Sequence, residues 1–172
     1  VLLWYDYWCM PQDLRTYADK QAGRPDTRSP ADATRFTWML KNVNLLYLGC
    51  SVLCLVDISY LSRFWTQFEA WLSMRQGSTG GLGAAHESRR RYTICCLHNA
   101  TQGNEDVKLR QMWESVSSEE AHALLSKPDV TVTNLSDKET QLVKVEQLDG
   151  EMRAAYSAGA AEALKASGVR IE

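Results

Sequence analysis

The chain has 172 residues, 45% of them hydrophobic and 23% charged, and 19 Lys and Arg against 21 Asp and Glu leave a net charge of −2. That balance fits one domain with an ordinary core and excludes the strong positive field of a nucleic-acid or anionic-membrane binder. No apolar run reaches the roughly 18 residues needed to cross a bilayer, and no signal-peptide pattern opens the chain.

The chain starts inside an apolar run, Val1-Leu-Leu-Trp-Tyr5, and stops just after Val169-Arg-Ile171, so it reads as a piece of a longer protein. Residues 1–8 read as a first strand, with alternation placing Trp4, Asp6 and Trp8 on one side. A polar turn follows at Cys9-Met-Pro-Gln12, and residues 13–29, polar and holding Gly23 and Pro25, read as a flexible loop. Ser29-Pro30 then signals a helix start. Phe36, Met39, Leu40, Val43, Leu46 and Tyr47 recur at helical spacing, and Gly49 is expected to end the helix as a left-handed cap.

Ser51-Val-Leu-Cys-Leu-Val56 is a near-continuous apolar run, the pattern of a parallel strand buried on both faces. The polar break at Asp57 and Ser59 opens a helix running to about Met74. Along it, Ser62, Trp65 and Glu69 fall at i, i+3 and i+7, close to one face. In open α/β sheets, ligands bind at the carboxyl ends of the strands, where this helix begins. Residues 75–91 are rich in Gly and Ser and then basic. Gly77-Ser-Thr-Gly-Gly-Leu-Gly83 has no strand running into it and no closing Lys-Ser/Thr pair, so a flexible surface loop is expected rather than a phosphate loop. Arg89, Arg90 and Arg91 are read as a solvated lead-in to the next strand, with anion binding the lesser reading.

Tyr92-Thr-Ile-Cys-Cys-Leu97 is a further buried strand. Helices are expected over Val107 to Val116 and Ser118 to Leu125, then a strand at Val130-Thr-Val-Thr133. Ser136-Asp-Lys-Glu139 has the form of a capping box, and the helix it opens carries Leu142, Val145, Leu148, Met152 and Tyr156 toward Ala166. This alternation of strands and helices predicts an α/β fold, a parallel sheet with helices on both faces.

The chemistry narrows by elimination. There is no Gly-x-Ser-x-Gly elbow and no Gly-x-Gly-x-x-Gly after a strand. His98, at a strand end, reads as a local cap. The five cysteines, Cys9, Cys50, Cys54, Cys95 and Cys96, are odd in number and read as reduced, buried thiols in a reducing compartment such as the cytoplasm. With His86, His98 and His122 scattered, no metal site is expected. What remains is a carboxylate-centred site drawn from Asp6, Asp57 and Glu69 at the carboxyl edge of the sheet.

Two motifs then carry a resemblance. The run Ser59-Tyr-Leu-Ser62-Arg-Phe-Trp65-Thr-Gln-Phe-Glu69, directly after a strand, resembles the third-helix motif of TIR domains, with Thr66 where those have Cys and Ala70 where they have Leu. Trp4-Tyr-Asp6-Tyr-Trp-Cys9-Met-Pro-Gln12, followed later by Arg63-Phe-Trp65-Thr-Gln-Phe-Glu69, resembles the paired motifs of the related HET domains of fungal incompatibility proteins. The resemblance covers residues 1 to about 75. It implies a flavodoxin-like sheet whose first strand is missing from this chain. It also implies NAD glycohydrolase chemistry centred on Glu69, with Trp65, Ser62, Asp6 and Asp57 around the substrate. NAD would be a substrate, and no cofactor is implied. Two alternatives stand beside it: a non-catalytic TIR-like module that self-associates in signalling, as in innate immunity, and a nucleoside-processing transferase using Asp6 and Glu69 as paired carboxylates.

Overall fold

The computed structural model describes residues 2–166. Val1, where the expected first strand begins, and the Val169–Ile171 run lie outside them. Where the sequence reads as one domain, the contacts divide the chain into two compact units, one ending at Leu46 and the other beginning at Tyr47.

The first unit is helical. α1 (Asp6–Cys9) is a single turn, α2 (Tyr17–Gln21) is short, α3 spans Pro30–Asn42, and α4 (Asn44–Gly49) runs through the division. The expected strand over residues 1–8 is absent from its described part: residues 2–5 take no regular form and Asp6–Cys9 is helical. A strand preference is realised only when a neighbour completes the backbone ladder. Nothing among the described residues pairs with this segment, and Leu2, Leu3 and Trp8 stand exposed.

The expected loop over 13–29 contains α2, started by a capping box between Thr16 and Asp19. It is tied by charges: the Arg15 guanidinium lies 2.7 Å from Asp13 and 3.8 Å from Asp26, while Asp26 also holds Arg28 at 2.6 Å. The Arg28 guanidinium sits 4.6 Å above the Phe36 ring of α3. α3 begins as read from the sequence, with Ser29 accepting from the Asp32 N–H and Pro30 in the first turn. Gly49 closes α4 without entering the left-handed region.

The second unit carries the sheet. β1 (Val52–Val56) and β4 (Tyr92–Cys96) pair in parallel, Val52 opposite Tyr92 and Val56 opposite Cys96. The chain is therefore mixed α/β, with a two-stranded parallel sheet among the described residues. β1 alternates rather than being buried on both faces. Cys54 and Val56 are buried, whereas Leu53 and Leu55 are 60% and 51% exposed. Among the described residues nothing covers the second apolar stripe of β1.

α5 (Phe64–Ser73), α6 (Glu105–Trp113), α7 (Ser118–Leu125) and the 32-residue α8 (Leu135–Ala166) complete this unit. Phe64, Phe68, Trp71, Leu109, Trp113, Leu125 and Val145 are fully buried in one cluster with Val56. α7 starts on a capping box, Ser117 with Glu120. α8 starts one residue before the expected box, with Asn134 Oδ1 accepting from the Ser136 N–H and hydroxyl, 3.3 and 2.9 Å away.

Two more expectations are corrected. Residues 75–91 are not a flexible loop. Residues 75–84 form an antiparallel hairpin, β2 (Arg75–Ser78) and β3 (Gly81–Ala84), packed on α8, and Glu87–Arg89 is a 3₁₀ turn. Two glycines permit that approach. A Cβ on Gly77 would come 2.5 Å from the Tyr156 ring, and one on Gly81, whose φ is +101°, would come 2.3 Å from the Asp149 carboxylate. Asp149 in turn accepts from the Leu82 N–H at 2.9 Å. The expected strand at Val130–Thr133 is reduced to one parallel bridge between Thr131 and Arg63. Its ladder stops there because Tyr60–Ser62 is a 3₁₀ turn and Phe64 already begins α5.

Candidate functional site

The parallel pair has one carboxyl edge, and the Leu97 N–H extends the pairing there by donating to the Val56 carbonyl at 2.8 Å. Asp57 and His98 leave this edge on adjacent strands. Asp57 Oδ1 accepts from both the N–H and the hydroxyl of Ser59, at 3.0 and 2.8 Å. The Ser59 hydroxyl, chiefly, holds the Asp57 carboxyl below the usual carboxylate range. Asp57 thus ties the turn that leaves β1. His98 is exposed, takes a left-handed φ of +48°, and its carbonyl accepts from the Thr101 hydroxyl at 2.8 Å.

The expected helix from Ser59 to Met74 is interrupted. Ser62 lies in the 3₁₀ turn Tyr60–Ser62, exposed, its hydroxyl donating to the Ser59 carbonyl at 2.8 Å. Arg63 is extended, and α5 begins only at Phe64, whose N–H donates to the Thr131 carbonyl at 2.8 Å. Ser62 is therefore not on one helical stripe with Trp65 and Glu69. Those two, four residues apart, do share a face of α5. Trp65 is half-buried, its ring edge-on to Phe64 and Phe68 at centroid distances of 5.8 and 6.1 Å.

Glu69 is half-buried, one turn further along α5. Its charge acts on two buried groups, the Cys54 thiol of β1 and the Tyr60 phenol. Burial raises the Cys54 thiol above its usual range, a bond from Tyr60 partly offsets this, and the Glu69 carboxylate raises it again. Burial likewise raises the Tyr60 phenol, with Cys54 and then Glu69 adding to it. Both stay protonated, so Cys54 is an inert, buried thiol rather than a nucleophile. Cys9, Cys50 and Cys95 are exposed, contrary to the burial expected from sequence, because they sit at element ends or on the uncovered side of β4.

Asp6 belongs to the first unit. It heads α1, exposed, with Oδ1 accepting from the Tyr7 N–H at 2.7 Å, instead of alternating along a strand with Trp4 and Trp8.

Two grooves open in the second unit. One, of about 470 Å³, lies between the end of α7 and the start of α8 and includes Val130, Val132, Lys138 and Glu139. Its cation is already engaged: the buried Lys138 ammonium donates to the carbonyls of Lys127 and Val130 at 2.9 and 2.7 Å. The other, of about 490 Å³, lies beside the β2–β3 hairpin. Neither is lined by Glu69, Trp65, Ser62 or Asp57. Among the described residues, no group of three or more His, Cys, Asp or Glu comes together to hold a metal ion, and no helix is long and apolar enough to cross a membrane.

The residues with the most demanding environments were not legible as such. Arg75, at the start of the expected loop, is buried. Its guanidinium donates to the carbonyls of Trp113, Glu114 and Val116 at 2.7, 2.6 and 2.9 Å, capping α6. Burial lowers its pKa to about 10, against the pull of Glu114 and Tyr92. Glu114 itself pairs with Arg90 and accepts from the Tyr92 hydroxyl at 3.0 Å. The only advance signal was an arginine directly after an apolar helix, which sequence alone does not separate from a surface charge.

No family model, curated protein or solved structure matches this chain.

The Cys54–Tyr60 pair gives a pH prediction. Both are acids whose folded pKa lies above the ordinary values of 9.0 and 10.0. Their stabilisation is fully present below about pH 9 and is lost as pH rises, because the unfolded chain then releases protons that the folded chain retains. Arg75 acts oppositely, but its folded value of about 10 delays that offset to higher pH. The melting temperature is expected to fall between about pH 8.5 and 10, and Cys54→Ala to flatten the start of that fall. A pH-independent melting temperature over this range, measured by circular dichroism, would contradict the assignment.

Proposed function

We propose that this chain is a TIR/HET-like signalling domain of flavodoxin-like ancestry that hydrolyses the nicotinamide–ribose bond of NAD, with Glu69 as the catalytic carboxylate. The observation that supports this most directly is Glu69 itself. It is a half-buried carboxylate on the same face of α5 as Trp65, and its charge acts on the protonated Cys54 and Tyr60. A half-buried carboxylate suits an oxocarbenium-like transition state, whose developing positive charge it can stabilise.

In this reading nicotinamide departs with the bonding electron pair, and Glu69 stabilises the ribosyl cation or aligns the ribose hydroxyls. Water then adds to the anomeric carbon and releases a proton, giving ADP-ribose. Trp65 offers a ring edge beside the carboxylate. Asp57 and Ser62 hold the turn at the carboxyl edge of β1. NAD is consumed as a substrate, and the five unpaired thiols fit a cytoplasmic setting. The test is release of nicotinamide from NAD by the purified chain, followed chromatographically. No release above the buffer rate removes the enzymatic reading.

One observation favours a second reading, a non-catalytic self-association module. Leu53, Leu55, Thr93 and Cys95 make an uncovered stripe on the sheet, while Glu69 lines neither groove. That module is expected to sediment as a monomer when dilute and as a larger species when concentrated, with NAD left intact.

A further inference from the structure

The groove beside the β2–β3 hairpin is used by neither reading above. Gly77, Thr79, Arg89, Arg91 and Tyr156 are among the residues that line its roughly 490 Å³. Two of these residues are cationic and none is acidic, in a chain whose net charge is −2. A pocket lined by one sign of charge inside a mildly acidic protein focuses its field on ligands of the opposite sign.

The three consecutive arginines divide the labour. Arg90 is neutralised by Glu114 and approached by Glu87 at 3.9 Å. Arg91 is half-buried and structural on one side: Nη1 donates to the carbonyls of Tyr47 and Cys50, and Nη2 to that of Arg75 at 2.6 Å. Those bonds take three of the five N–H donors of a guanidinium, leaving two. Arg89 has no ion pair or side-chain hydrogen bond among the described residues. The Thr79 hydroxyl, at the tip of the hairpin, is likewise a donor without a partner among them, and Tyr156 brings a phenol and a ring face. Gly77 permits this crowding, since Tyr156 lies where its Cβ would be.

We infer that this groove binds a small phosphorylated ligand of the nucleoside-diphosphate class, its phosphates held by Arg89, Arg91 and Thr79 and its ring lying against Tyr156. Guanidinium forks match phosphate oxygens in geometry as well as charge. The groove volume lies within the usual range for small-molecule sites, about 300–1,000 Å³. The inference does not depend on NAD cleavage, because Glu69 is not among the lining residues.

The test is titration of the isotope-labelled chain with pyrophosphate, ADP and adenosine, read by amide chemical shifts. Pyrophosphate and ADP are expected to bind with dissociation constants below about 1 mM, and adenosine at least about tenfold more weakly. The shifts should centre on residues 77–81 and 89–91. Arg89→Ala, on an exposed side chain that supports no other group, should weaken both phosphate ligands about tenfold, and Arg89→Lys should weaken them less. Absence of saturable binding, unchanged affinity in Arg89→Ala, adenosine binding as tightly as ADP, or shifts centred elsewhere would each overturn the assignment.

Discussion

Arg75→Met is expected to destabilise the second unit by about 3 kcal/mol. The guanidinium supplies partners to three carbonyls at the end of α6, groups that a helix cannot satisfy from within. Val116 keeps one bond, from Trp71 Nε1 at 3.1 Å, and Trp113 keeps a long one, from the Val116 N–H at 3.3 Å, but the Glu114 carbonyl loses the guanidinium. The same cation also faces the negative end of the helix dipole. Methionine fills much of the volume while removing every donor, so the loss reports bonding rather than a cavity. Arg75→Lys should recover less than half of it, because an ammonium has no planar fork. Urea unfolding followed by tryptophan fluorescence measures this well, since Trp71 and Trp113 are both fully buried nearby. An unfolding free energy within about 0.5 kcal/mol of the parent would mean that the carbonyls find water instead.

On the proposed reading, Glu69→Gln should reduce NAD cleavage by at least about a hundredfold, the usual scale for losing a group that acts on charge developing in a transition state. Glutamine keeps the size and hydrogen-bonding reach of the side chain and loses only its charge. The fold should therefore persist, and the melting temperature at neutral pH should move little. A second readout separates the catalytic role from a structural one. Because the Glu69 charge raises both Cys54 and Tyr60, its removal should bring their folded titration closer to the unfolded values, so the alkaline loss of stability becomes smaller. Unchanged turnover with that shift present would leave Glu69 a tuning charge and remove it from the mechanism.

Local signals in this sequence carried as far as local physics reaches. Ser29-Pro30 places the start of α3, and Ser118 to Leu125 is α7 to the residue, because caps satisfy helix ends with side chains only three positions away. The apolar runs at Val52–Val56 and Tyr92–Cys96 are strands, joined in parallel as the intervening helix requires. The candidate site was half legible. Trp65 and Glu69 share a helix face, but Ser62 is cut off by the extended Arg63, whose conformation follows from a bridge to Thr131, 68 positions away.

What remained belongs to contacts between distant segments. The aromatic opening run has strand propensity and no described ladder to join, so Asp6 becomes the first residue of a helical turn instead. Residues 75–91 look like a glycine-rich loop until α8 supplies Tyr156 and Asp149, against which Gly77 and Gly81 can lie because they lack a Cβ. Arg75 and Arg91 read as surface charges until the carbonyls of α6 and α4 converge on them. Composition and spacing thus determined the start of α3, the bounds of α7, the two paired strands and the mixed α/β class. Tertiary structure alone decided the hairpin, the buried arginine and the groove, because each depends on backbone groups brought together across tens of residues, which no local pattern encodes.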